Sequence, residues 1–96
     1  MKEKVMIKIY QENCINLLNV SQELGLRIRD FQFAYHANND SFVTLGLTDA
    51  DVEDLWAEIE YEKDEKRRKR LENDYSLINL LRAMGHRGHM IVFISW

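Results

Sequence analysis

The feature that most constrains the fold is the segment from Thr48 to Met84, which keeps a helical pattern in a chain with no proline to interrupt it. A single helix of about 36 residues would run about 54 Å. A compact domain of this chain's size has a radius of gyration of only about 13 Å. The segment must therefore project from the body or break, and Asn73-Asp74 is the place read as a break into two antiparallel helices. Thr48-Asp49-Ala50-Asp51 supplies a capping box with Asp in the usual Glu position. Val52, Leu55, Trp56 and Ile59 follow at i, i+3, i+4 and i+7, the clearest apolar stripe in the chain. From Glu60 to Arg70 every residue except Tyr61 is charged. Leu71, Tyr75, Ile78 and Leu81 then restore the stripe, and Gly85 and Gly88 end it.

Ahead of this segment, Val5, Ile7 and Ile9 alternate with Met6, Lys8 and Tyr10, the period of a half-buried strand. Asn13 is placed to cap a first helix carrying Cys14, Leu17, Leu18, Ser21 and Leu24, with Gly25 closing it. Residues 26–37 read as a second strand. Phe31, Phe33 and Tyr35 share one face, and a bulge near Asp30 accommodates Leu26 and Ile28 on the opposite parity. Asn38-Asn39-Asp40 signals a turn, and residues 42–47 form the partner strand of a hairpin. Gly46 there marks a bend, a bulge or a close backbone approach. Residues 89–96 are a last strand, with Met90, Val92, Ile94 and Trp96 on one parity and Ile91 and Phe93 on the other. The expected fold class is α+β: one domain over residues 1–96, a ferredoxin-like βαββαβ antiparallel sheet with a long charged second helix, continuous or broken.

Val5-Met6-Ile7-Lys8-Ile9-Tyr10, Leu17-Leu18 and Glu23-Leu24-Gly25-Leu26-Arg27-Ile28-Arg29-Asp30-Phe31 together resemble the first half of an ACT domain. This ferredoxin-like module regulates metabolic enzymes by binding amino acids. The resemblance runs from residue 5 to about residue 47 and implies a regulatory module for a small ligand. The family usually carries an acidic residue and a Pro-Gly pair in the loop after its first strand. This chain has Gln11-Glu12-Asn13-Cys14 there, and its long charged helix is also unlike the family.

A net charge of −3 on 96 residues excludes a strongly basic nucleic-acid binder by bulk charge, though not a local basic patch. No apolar run approaches the ~20 residues of a membrane span. The single cysteine, Cys14, leaves no intrachain disulfide to form, so a cytoplasmic protein is expected.

Lys66-Arg67-Arg68-Lys69-Arg70 is a five-residue basic run. It has two readings. In one it is a solvated helix held by the i, i+4 pairs Glu62–Lys66, Asp64–Arg68 and Glu65–Lys69. In the other it is a contact surface for a protein or RNA. His86-Arg87-Gly88-His89 has a spacing that can close on a metal, but a structural zinc site takes four ligands, and the remaining soft ligands, His36 and Cys14, are scattered. No metal and no other cofactor is expected. His86, Arg87 and His89 are either a plain polar loop or a loop for an anion or small ligand. With no Gly-rich phosphate loop and no nucleophile elbow, no catalytic residue is assigned.

These readings converge on a small non-enzymatic adaptor or inhibitor, a type that phages also encode, presenting a long charged helix to a protein partner. The contact residues would be Lys66, Arg67, Arg68, Lys69 and Arg70. The alternatives are an ACT-like ligand-binding module, and a nucleic-acid-binding or nuclease protein working through the same basic run. Because the last strand is apolar on both parities, a homodimer anchored by Trp96 is also expected.

Overall fold

The computed structural model describes residues 14–96. The strand expected over Val5, Ile7 and Ile9 and the cap expected at Asn13 lie outside the described residues. Strand β1 (Cys14–Asn16) runs directly into helix α1 (Leu17–Glu23), and a 3-10 turn follows at Ile28–Asp30. Then come β2 (Ser41–Gly46), α2 (Asp49–Tyr61), α3 (Glu65–Ala83) and β3 (His89–Ile94). β3 is central, parallel to β1 and antiparallel to β2. The described order is β-α-β-α-α-β with a mixed sheet, so the expected ferredoxin-like βαββαβ antiparallel fold is not the one found; the α+β class stands.

The difference originates in residues 26–37, which form turns instead of a strand. Ile28, Phe31 and Ala34 are all buried, a spacing of three that belongs to 3-10 geometry and not to a pleat. The bonds agree: Phe31 N–H donates to Ile28 O, Ala34 N–H to Phe31 O, and Ala37 N–H to Ala34 O. Phe33 packs against the core and meets Phe31 with ring centroids 5.6 Å apart. Without this strand the expected hairpin does not form. The turn at Asn38-Asn39-Asp40 instead leads β2 onto β3: Asp40 adopts φ 59° and its N–H donates to Ile94 O at 2.8 Å.

α1 is capped by Asn16, whose Oδ1 accepts from Leu18 N–H at 2.9 Å. Gly25, at φ 69°, ends it as expected. The capping box at the start of α2 forms as read: Asp51 N–H donates to Thr48 Oγ1, and Asp51 Oδ2 accepts from Thr48 N–H. Gly46 is a close approach, because a Cβ there would lie 2.5 Å from Asp51 Cγ.

The long helical segment does break, but at residues 62–64 and not at Asn73-Asp74. Glu62 turns extended, with ψ 124°, and Asp64 caps α3 by accepting from Lys66 N–H. Asn73 and Asp74 are instead buried in the interior of α3. The Asp74 carboxylate accepts from Gln32 N–H at 2.9 Å and Phe33 N–H at 3.2 Å, and Asn73 Nδ2 donates to Asp30 O at 2.8 Å. A polar pair that resembles a helix end is the clamp that holds the 26–37 loop.

The core joins Leu17, Phe31, Leu45, Leu47, Leu77, Leu81, Val92 and Ile94, with Val52 and Leu55 of α2 packed against it. On β3, Met90, Val92 and Ile94 face this core. Phe93 lies on the opposite face, where its ring stacks on Phe42 at 5.1 Å. No helix among the described residues is long and apolar enough to cross a membrane.

Candidate functional site

The break at residues 62–64 divides the basic run between two tasks. Arg67 turns back to the corner, pairing with Glu58 at 2.5 Å and with Glu62. Arg68 donates to Glu62 O from Nε at 3.0 Å and Nη2 at 2.6 Å, satisfying a carbonyl that the end of α2 leaves free. The Asp64 N–H, followed by Arg67, holds the Glu62 carboxyl below its ordinary pKa. Arg67 and Arg68 are therefore structural. The expected pairs Glu62–Lys66 and Asp64–Arg68 do not span one helix, because Glu62 and Asp64 precede α3.

Lys66, Lys69, Arg70 and Asn73 recur at i, i+3, i+4 and i+7, so they share one face of α3. With Arg29, Asp30, Tyr35 and Glu65 they line a shallow cleft of about 430 Å³. Arg70 is fixed within it: Nε donates to Gln32 Oε1 at 2.8 Å, and the guanidinium lies 4.0 Å from the Tyr35 ring centroid. Among the described residues, Lys66, Lys69 and Arg29 make no ion pair. Asp74 supports this wall from within. Burial pushes its carboxyl up to about 7, against the pull of the Gln32 and Phe33 N–H donors.

A second concavity, a groove of about 610 Å³, lies between α1, the 26–30 loop and Trp96. Its apolar walls are Leu18, Leu26, Ile28 and Trp96, and it shares Arg29 and Asp30 with the basic cleft. Trp96 follows β3, is 52% exposed, and is tethered by its backbone N–H to Asn39 Oδ1 at 2.9 Å. Comparison of the chain with protein-family models, with curated proteins and with solved structures returned no match. The functional reading therefore rests on this geometry alone.

The loop after α3 is put to structural use. Arg87 Nη1 donates to Arg82 O and His86 O, closing the C-terminal end of α3. His86 N–H donates to Leu81 O, and His89 opens β3 opposite Gly46. Among the described residues no group of His, Cys, Asp and Glu side chains is placed to hold a metal ion. Burial pushes the Cys14 thiol up. Of the residues singled out from the sequence, Lys66, Lys69 and Arg70 come together, while Trp96 joins the adjoining groove. Sequence reasoning missed Arg29 and Tyr35. The three-residue spacing of Ile28, Phe31 and Ala34 was the available signal, since it turns Arg29 away from the buried side.

Proposed function

We propose that this protein works by binding another protein, as an adaptor or inhibitor in the cytosol, through the basic cleft formed by Arg29, Lys66, Lys69 and Arg70. One observation carries the reading. The run is divided so that Arg67 and Arg68 are occupied at the helix corner, while among the described residues Lys66 and Lys69 make no ion pair beside a fixed Arg70. Acidic groups of a partner are the natural complement, because charge complementarity steers encounter and fixes register. The sequence expectation of a long projecting helix is replaced by a cleft on the body of the molecule.

The test is affinity capture from lysate with nuclease added, comparing the wild-type chain with two double variants. Lys66→Glu/Lys69→Glu is expected to lose a partner that Arg67→Ala/Arg68→Ala retains. Recovery that disappears on nuclease treatment would assign the cleft to nucleic acid. Equal loss in both variants would contradict the division of roles.

A further inference from the structure

Resting on that reading, we infer that the partner presents an acidic segment bearing an apolar anchor, with its carboxylates over the basic cleft and the anchor in the groove beside Trp96. The two concavities adjoin, with Arg29 and Asp30 lining both. The groove's volume of about 610 Å³ lies within the range of sites that enclose small ligands, room enough for one or two large side chains. Its walls are graded: Ile28 is buried, Leu18 and Leu26 are half-buried, and Trp96 stands half-exposed. Trp is, with Tyr and Arg, one of the residue types enriched among the energetic anchors of interfaces.

Charge identifies the other half of the ligand. Among the described residues, Arg27, Arg29, Lys66, Lys69 and Arg70 line the combined surface with Asp30 and Glu65 as its acids, on a chain whose net charge is −3. The surface is therefore locally opposite in sign to the molecule that carries it. Along α3, Lys66 and Arg70 are about 6 Å apart at 1.5 Å per residue. Alternate side chains of an extended peptide are spaced about 6.6 Å apart, so successive carboxylates can meet successive cations. A nucleic-acid strand fits less well. Asp30 and Glu65 interrupt the row of cations, and Tyr35, the one aromatic of the cleft among the described residues, already carries Arg70 on its ring and His36 against it at 4.5 Å. Stacking on open aromatic faces is what unpaired bases need.

The experiment uses the 96-residue chain and four labelled probes, read by fluorescence anisotropy at low salt up to about 1 mM, the weak end of peptide recognition. The probes are a decapeptide of Glu flanking Leu-Phe, the same peptide with Ser-Ser in place of Leu-Phe, a Lys-flanked Leu-Phe peptide, and a thymidine decamer. The Glu-flanked Leu-Phe peptide is expected to bind roughly tenfold tighter than its Ser-Ser counterpart, the advantage of burying one large apolar side chain. Trp96→Ala should erase that advantage and leave the Ser-Ser peptide unchanged. Lys66→Glu/Lys69→Glu should lose both peptides. In a Trp56→Phe variant, Trp96 emission should shift to the blue as the anchored peptide is added, a readout that needs no change at the groove. Equal affinity for the two Glu peptides, an unmoved Trp96 emission, or no binding by any probe would overturn the inference while leaving the basic-cleft reading to the capture test. Tightest binding by the thymidine decamer would overturn both. A Trp96-dependent dimer in sedimentation of the unliganded protein would give the groove to a second copy and overturn the inference alone.

Discussion

Asp51 is the most heavily used carboxylate at the start of α2. It accepts from both the hydroxyl and the backbone N–H of Thr48, bonds that hold its pKa below the ordinary value, the hydroxyl bond contributing most. The space it occupies exists only because residue 46 lacks a Cβ. Gly46→Ala should push Asp51 off Thr48 and lower the melting temperature by roughly 5 °C, measured by circular dichroism. Asp74 behaves in the opposite sense, since its carboxyl is pushed up to about 7 by burial, with Glu58 adding to the rise and Arg70 opposing it. Between about pH 4 and pH 7 the folded chain therefore holds this proton more firmly than the unfolded chain does. Its stabilising contribution is complete below the unfolded pKa and is lost as pH rises through 7. Urea unfolding at pH 5 and pH 8 should differ by a few kcal/mol in favour of pH 5, and Asp74→Asn should flatten the difference. Such local devices differ in legibility. The Thr48–Asp51 box and Gly25 are read from neighbours in sequence, and both were visible there. Asp74 was not, because its partners Gln32 and Phe33 lie about forty residues away and only tertiary structure brings them together.

At the scale of elements, the 26–37 loop and the α2–α3 corner are where sequence and structure part. Phe31, Phe33 and Tyr35 alternate like a strand, yet only Phe31 is fully buried, and Tyr35 is 37% exposed. The alternation of aromatics hid the three-residue repeat of Ile28, Phe31 and Ala34. Phe31→Ala should cost about 3–5 kcal/mol in chemical unfolding, whereas Tyr35→Ala should cost about 1 kcal/mol or less. Equal costs would restore the strand reading. The corner was obscured differently. An unbroken run of charged residues, mostly acids and then five bases, looks continuous to any helical pattern, and the Asp64 cap is one acid among several. The corner's bonds predict that Arg67→Glu/Arg68→Glu lowers the melting temperature by roughly 5 °C or more, since it places two acids against Glu58, Glu62 and the Glu62 carbonyl. An unchanged melting temperature would mean that these bonds do not hold the corner.

For the whole molecule, an acidic chain carries a basic concavity beside an apolar one, and the helix break makes that arrangement possible. A continuous rod over residues 48–84 would project the run into solvent. The break returns α3 to the body, where Leu71, Leu77, Ile78 and Leu81 are buried and Lys66, Lys69 and Arg70 meet Arg29. Partner binding at such a surface should weaken as salt rises from 50 to 500 mM, because the Debye length falls severalfold and the cations are open to solvent. The most direct measurement is a two-dimensional amide NMR titration of the isotope-labelled chain with the Glu-flanked Leu-Phe peptide. The expected result is a set of shifts confined to the neighbourhood of Arg29, Tyr35, Lys66, Lys69, Arg70 and Trp96, with Arg67 and Arg68 moving little. Shifts centred on Arg67, Arg68 and the α2–α3 corner, with the cleft silent, would contradict the division of the basic run on which the account depends.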